Sequence, residues 1–124
     1  MKINIYSFGH DLGIPEFGKE EIDFYNDVRH LKKIKTGLKE CKPGTDIAIR
    51  RKFMKNDDIK IYYNENILEP IIKILEEKKK INYNIIVGCH KGHHKSVCII
   101  EQLYKDLKKR KYKNIYKEHL SISE

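Results

Sequence analysis

No apolar run in this sequence approaches the roughly 18 to 20 residues that a membrane-crossing helix needs, so no membrane-spanning helix is expected. Met1-Lys2 leads straight into the strand-like Ile3-Asn4-Ile5-Tyr6, without the charged, apolar and small-residue sections of a signal peptide. Cysteine is scarce. Cys41, Cys89 and Cys98 make an odd set of three without metal-type spacing, which argues against a disulfide framework and gives no sign of a metal centre. Low-complexity tracts, internal repeats and obvious linkers are lacking too. Together these absences point to one reduced, cytoplasmic domain over residues 1–124, with no membrane role and no cofactor.

What is present describes a globular chain. At 124 residues, 40% hydrophobic and 35% charged, it can bury one core but not two. The formal net charge of +8 at pH 7 favours acidic partners, meaning nucleic acid, phosphorylated metabolites or anionic surfaces. A general bias towards Lys, Asn and Ile accounts equally well for lysines scattered outside any motif.

The hydrophobic pattern predicts the order strand, loop, strand, helices, strand, helix, strand. Lys2 to Phe8 alternates as a strand, with Ile3 and Ile5 on one face and Tyr6 and Phe8 on the other. Two glycines and Pro15 then mark an ordered loop over residues 7–15, with a short helical turn expected over 16–21. Ile22 to Val28 reads as a second strand, which puts Asp27 and Arg29 at its end. Residues 31–44 are irregular and basic. Thr45 or Asp46 can cap a helix reaching Met54, with Ile47, Ile49 and Phe53 as core contacts. Asn56, Asp57 or Asp58 caps the next, whose buried stripe is Leu68, Ile71, Ile72 and Leu75; Pro70 inside it predicts a kink or two pieces. Tyr83 to Val87 is a third strand, about 95–110 a helix, and 114–118 the last strand. Strands linked by helices predict an α/β domain with a mostly parallel sheet of about four strands, flanked by helices and covered on both faces. The loops at 7–15, 27–39 and 88–96 should then converge on one rim, the edge where such sheets place ligands.

The stretch that organises this reading is Gly88-Cys89-His90-Lys91-Gly92-His93-His94-Lys95-Ser96, between the third strand and the helix after it. A glycine-containing turn there collects unpaired main-chain N–H groups at the positive end of the helix dipole, a geometry that cradles an anion. It contains two lysines, three histidines and no acid. His90, His93, His94 and Ser96 are candidate donors to a phosphate, Lys91 and Lys95 candidate charges, and Gly92 allows close backbone approach. The histidines have no accompanying ligand pattern for a metal. The spacing Cys89-x5-Lys95-Ser96 also resembles the Cys-x5-Arg-Ser/Thr loop of cysteine-dependent phosphatases, in which a thiolate attacks phosphorus. Lysine lacks the bidentate grip of arginine. The acid such an enzyme needs has only Asp11, Asp27 and Asp46 as unassigned candidates. A structural reading of Cys89, as a small apolar residue closing the strand, stands against it; Cys98 reads as core.

Ser7-Phe8-Gly9, Gly13-Ile14-Pro15, Asp27-Val28-Arg29-x-Leu31, Leu38-Lys39, Gly44-x-Asp46 and Gly88-Cys89-x-x-Gly92-x-His94-Lys95-Ser96-Val97 form an ordered set. That set resembles the C-terminal domain of RapZ, the RNase adaptor protein, over almost the whole chain. Ile99-Ile100-Glu101-Gln102-Leu103 and His119 fit as well. The resemblance implies an α/β domain that binds glucosamine 6-phosphate and, in full-length members, small RNA presented to a ribonuclease by an oligomer. Carried over by position, the sugar-phosphate pocket takes Asp27, Arg29, Gly92, His94, Lys95 and Ser96, with Ser7, Gly9 and His10 as further pocket candidates. Lys95 stands where the family has arginine, His90 where it has threonine, and Lys91 where it has the first of two glycines. No G-x-x-x-x-G-K-[ST] occurs, so the chain is expected to be the stand-alone C-terminal domain without the nucleotide-binding domain of its relatives. For RNA the candidates are the basic clusters Lys32, Lys33, Lys35; Arg50, Arg51, Lys52; and Lys108, Lys109, Arg110, Lys111. Solvated helix faces would carry the same charges.

Overall fold

The structure, a computed structural model, describes residues 1–15, 21–31 and 47–121. The helical turn expected after Pro15, the basic stretch with Lys32, Lys33 and Lys35, Leu38-Lys39, Cys41, Gly44, the caps Thr45 and Asp46, and the last three residues lie outside the described residues. Among the described residues four strands are present: β1 (Lys2–Gly9), β2 (Phe24–Asp27), β3 (Asn82–Cys89) and β4 (Ile115–His119). They form one sheet in the order β2-β3-β1-β4, with every neighbouring pair parallel. The α/β class and parallel sheet expected from the pattern are what the chain adopts.

Helices lie between the strands as α1 (Ile47–Met54), α2 (Asp57–Tyr63), α3 (Glu69–Glu76) and α4 (Lys95–Lys109). Asn56 starts α2: its side chain accepts the Ile59 N–H at 3.2 Å. A π turn (Asn64–Leu68) joins α2 to α3, and the Glu69 N–H donates to the Asn64 carbonyl five residues back. Proline has no N–H and its ring collides with the carbonyl four residues behind it. The wider turn just before Pro70 accommodates both, so the two pieces stay in one continuous helical unit.

Helix placement follows from strand order. Parallel crossovers are right-handed almost without exception. The steps β2 to β3 and β3 to β4 run in the same direction across the sheet, so their helices belong on the same face; the step β1 to β2 runs back and belongs on the other. The core agrees. Ile3, Ile5, Tyr83, Ile85 and Val87, which share one face by alternation, join Ile49, Phe53, Ile59, Tyr63, Ile67, Ile71, Leu75, Ile99, Leu103 and Leu107 in a single cluster. The described helices thus gather on one face rather than sandwiching the sheet. The opposite face bears Asn4, Phe8, Asn84 and Ile86, all buried. There Asn4 Nδ2 donates to the side-chain oxygens of Asn82 (2.9 Å) and Asn84 (3.1 Å), and Lys80 pairs with Asp23 and Glu21, fixing the register of three strands.

Three details depart from the pattern. Ile47, expected in the core, is 54% exposed because it opens α1 on the side away from Ile49 and Phe53. Ile72 is only half-buried, whereas Leu68, Ile71 and Leu75 join Ile59, Tyr63 and Ile67 in the buried stripe. The second strand is also shorter than expected, although Asp23 and Val28 still donate to Asn84 and Gly88 across its ends.

At its C-terminus α4 closes in a Schellman arrangement: Tyr112 N–H donates to Leu107 O and Lys111 N–H to Lys108 O, with Lys111 left-handed at φ 69°. A side chain there costs energy that glycine does not incur. Lys111→Gly is therefore expected to raise the unfolding free energy by about 0.5–1 kcal/mol in urea denaturation; a loss of stability would contradict this ending.

Candidate functional site

Because all four strands are parallel, Gly9, Asp27, Cys89 and His119 come out at one edge of the sheet. The chain leaves β1 over one face and β3 over the other, which makes the boundary between these neighbours the switch point where open sheets hold ligands. The rim predicted from three loops is formed here by residues 9–12, 27–31 and 89–96. The end of β4, which sequence reasoning did not include, is a fourth wall.

The β3–α4 loop is locked against β1 by two glycines. A Cβ on Gly9 would overlap the main chain of Lys91 and Gly92, and one on Gly92 would lie 2.5 Å from Gly9 N and 2.7 Å from Phe8 C. Gly92 also has φ 72°, a conformation that side chains resist. Above them Ser121 Oγ accepts the Gly9 N–H at 2.8 Å, while its carbonyl lies 3.1 Å from His93 Nε2. On the other side the Asp11 N–H donates to His90 O, and His10 Nδ1 lies 3.0 Å from Cys89 O. The loop is therefore held from both sides before α4 begins.

The predicted site residues take different positions on this frame. His90, Lys91 and His93 are exposed, His94 is half-buried and adjoins His93, and Ser96 is fully buried. His94 occupies the position before α4 with φ −120° and ψ −76° and supplies no side-chain cap, so the first turn of the helix directs its N–H groups towards the rim. Lys95 is only 9% exposed, and its ammonium donates to the Arg29 carbonyl at 2.9 Å. It thereby ties the start of α4 to the chain beyond β2, a role that the loop pattern alone did not suggest. Asp27 and Arg29 form a forked ion pair, with Nη2 to Oδ2 at 2.7 Å and Nε 3.0 Å from both carboxylate oxygens. The Arg29 hydrogen bonds hold the Asp27 carboxyl down at about 2 despite partial desolvation. Cys89 is 4% exposed; its Sγ accepts the Gly92 N–H at 3.2 Å and lies 3.1 Å from Ser96 Oγ. Cys98 is wholly buried, and burial pushes its thiol up to about 12. Among the described residues no group of three or more His, Cys, Asp or Glu side chains is placed to hold a metal ion.

Beneath the rim lies a polar cluster centred on Glu101. Ser7 Oγ is 2.6 Å from His119 Nδ1, and His119 Nε2 is 3.2 Å from Glu101 Oε2. Lys117 Nζ also reaches Glu101 at 2.6 Å, with Arg50 at 3.8 Å. Arg50, counted with the RNA candidates, is thus half-buried against an acid, whereas Arg51, Lys52, Lys108, Lys109, Arg110 and Lys111 are exposed. Ser7 serves this cluster rather than opening onto the rim. An acid at the apolar spacing of α4, between Val97 and Tyr104, was the signal available for Glu101.

The profile of the RapZ C-terminal domain matches residues 1–123. This chain belongs to the RapZ C-terminal domain family. It is 35% identical over 91% of its length to a nucleotide-binding protein of Pediococcus pentosaceus, of which it covers 38%. A nucleotide-binding protein of Pasteurella multocida is 31% identical over 99% of the chain, and one of Shewanella baltica 32% over 99%, with 42% and 43% of those proteins covered. The chain thus spans about two fifths of the length of these curated relatives. No helix among the described residues is long and apolar enough to cross a membrane.

In this RapZ-type domain the Glu101 cluster makes stability depend on acid. Burial alone raises the Glu101 carboxyl, but hydrogen bonds from His119 and Lys117 outweigh it and bring it from 4.5 to about 2. The lowering favours the folded, ionised form by on the order of 1–2 kcal/mol, because solvent screens a cluster that is only partly desolvated. A lowered folded-state value means the contribution is complete above about 4.5 and vanishes as pH falls through about 2. Wild type is therefore expected to exceed Glu101→Gln in unfolding free energy most at pH 7, with the gap narrowing towards pH 2 in denaturant titrations. A gap independent of pH would contradict this assignment.

Proposed function

We propose that this domain is a non-catalytic sensor that binds a phosphorylated amino sugar of the glucosamine 6-phosphate kind at the rim. The observation that carries this reading is the start of α4. It is fixed by the Gly9–Gly92 contact and the Lys95–Arg29 tie, its cap residue His94 does not cover the first amides with its own side chain, and Lys91, His93 and His94 surround it. Main-chain amides and a helix dipole suit a dianion, and nearby cations add long-range attraction. Arg29 and the ionised Asp27 lie at the same rim, the first suited to phosphate oxygens and the second to an ammonium group. The relatives' description as nucleotide-binding proteins is compatible with a phosphate-bearing ligand.

RNA is the proposed macromolecular partner, in keeping with the RNase-adaptor character of the family. The exposed group Lys108, Lys109, Arg110 and Lys111 at the end of α4, together with Arg51 and Lys52, offers charge for phosphate contacts. A ribonuclease and further copies of the chain complete the proposed assembly, and the cytoplasm is its proposed location.

A cysteine-dependent phosphatase remains the second reading, because Cys89 Sγ receives the Gly92 amide and lies beside the Ser96 hydroxyl at the start of the β3–α4 loop. Two features count against it. The sulfur is almost wholly buried, and Asp27, held at about 2, is ionised where a proton donor is needed.

Calorimetry with glucosamine 6-phosphate separates these readings. Saturable binding is expected, weakened in His94→Ala by about 1–3 kcal/mol, the usual cost of losing a hydrogen bond to a charged group. The same protein is expected to leave p-nitrophenyl phosphate unhydrolysed. Unchanged affinity in His94→Ala would overturn the assigned rim, and turnover abolished by Cys89→Ser would establish the enzyme instead.

A further inference from the structure

Tyr25 lies in β2, two residues before the rim residue Asp27. It remains 43% exposed although its ring meets Phe8 at 6.1 Å and His10 at 6.0 Å, with Phe8 and His10 themselves 4.8 Å apart. Strand register places it opposite Ile86 on the sheet face away from the helices, and Asp27 follows on the same face two residues later. Its hydroxyl is hydrogen-bonded to His10 Nε2, while His10 Nδ1 faces the Cys89 carbonyl at 3.0 Å. A carbonyl only accepts, so Nδ1 carries a proton, and in the neutral ring Nε2 accepts from the tyrosine O–H. The hydroxyl is thereby committed to His10, the ring is fixed in orientation, and its open surface is left beside Asp27 and Arg29.

Two connections set this ring against the anion cradle. His10 joins it to Cys89, the first rim residue of the β3–α4 loop, and Lys95 joins the far end of that loop to Arg29. The rim therefore has an amide- and cation-rich side at α4 and an aromatic side at Tyr25, with the Asp27–Arg29 pair between β2 and the loop. Ligand sites combine a few placed polar groups with apolar and aromatic walls, and a ring already held in position binds with little loss of side-chain freedom.

We propose that Tyr25, backed by Phe8 and fixed through His10, is the wall against which the sugar ring of the ligand packs, and so is the residue that distinguishes a sugar phosphate from phosphate alone. This rests on the anion-binding reading of the rim. The C–H face of a pyranose suits an aromatic surface, the amino group finds Asp27, and the phosphate extends past Arg29 towards α4.

The test compares glucosamine 6-phosphate with inorganic phosphate by calorimetry, using wild type, Tyr25→Ala and Tyr25→Phe. Wild type is expected to prefer the sugar phosphate. Tyr25→Ala should weaken sugar-phosphate binding by about five- to ten-fold while inorganic phosphate stays within about two-fold, and Tyr25→Phe should keep the preference. Preference surviving in Tyr25→Ala overturns the proposal. So does equal weakening of both ligands, which would make Tyr25 a positioning residue acting through His10. Wild type that binds both ligands equally overturns the wall but leaves the anion cradle; wild type that binds neither overturns the cradle and the wall together. Intermolecular NOEs between the Tyr25 ring and the sugar C–H protons give a check on unmutated protein, and their absence in a saturated sample also overturns the proposal.

Discussion

The contact on which this molecule's chemistry depends is main chain against main chain: Gly9 at the end of β1 against Lys91-Gly92 in the loop that follows β3. Neither position leaves space for a Cβ, and Gly92 adds a left-handed φ. Two neighbouring strands can bring their exits this close only if both residues are glycine. The consequence is a loop with no slack. Its sulfur, its histidines and the first amides of α4 are fixed relative to β1 before any ligand arrives, and Ser121 from beyond β4 closes over the same contact. Preorganisation of that kind lets a few dipoles hold an anion without a cost of ordering them on binding.

Sheet order explains why the site has two chemically different sides. The helices gather on one face because successive crossovers run in one direction, and α4 therefore presents its positive end on that side of the rim. On the other face Phe8, His10 and Tyr25 come together. Lys95 connects the two sides by reaching from α4 to the Arg29 carbonyl. A lysine can do this because its single ammonium satisfies a carbonyl at the end of a buried stem, whereas a planar fork suits a carboxylate or phosphate better. Beneath the rim Glu101 gathers His119, Lys117 and Arg50, so part of the net positive charge is used internally.

Much of the fold was legible because its signals are local. The β-branched run before Gly88 located β3 to within two residues, the spacing of Val97, Ile100, Leu103 and Leu107 located α4 to within one, and Pro70 announced the irregularity that the π turn accommodates. What escaped the sequence is what depends on long-range placement. Ile47 carries an apolar side chain outward, which no pattern of eight residues reveals. Ser7, read as a pocket residue, bonds instead to His119, 112 positions away. Tyr25 meets Phe8 of β1 and His10 just beyond that strand only in the folded chain. The loop itself could be placed from residue types alone, because glycines between a β-branched run and a helical apolar spacing mark a strand-to-helix turn. The direction in which Lys95 points was not contained in that pattern.

The claim underlying this account is that amides at the beginning of α4 are the anion-binding groups of the molecule. Titrating 15N-labelled protein with inorganic phosphate and following each amide in 1H–15N correlation spectra tests it directly. Saturable shifts are expected to be largest from Gly92 to Val97, with one dissociation constant shared by those amides. Shifts confined to the Lys108–Lys111 surface, with the α4 start unmoved at saturating phosphate, would contradict it.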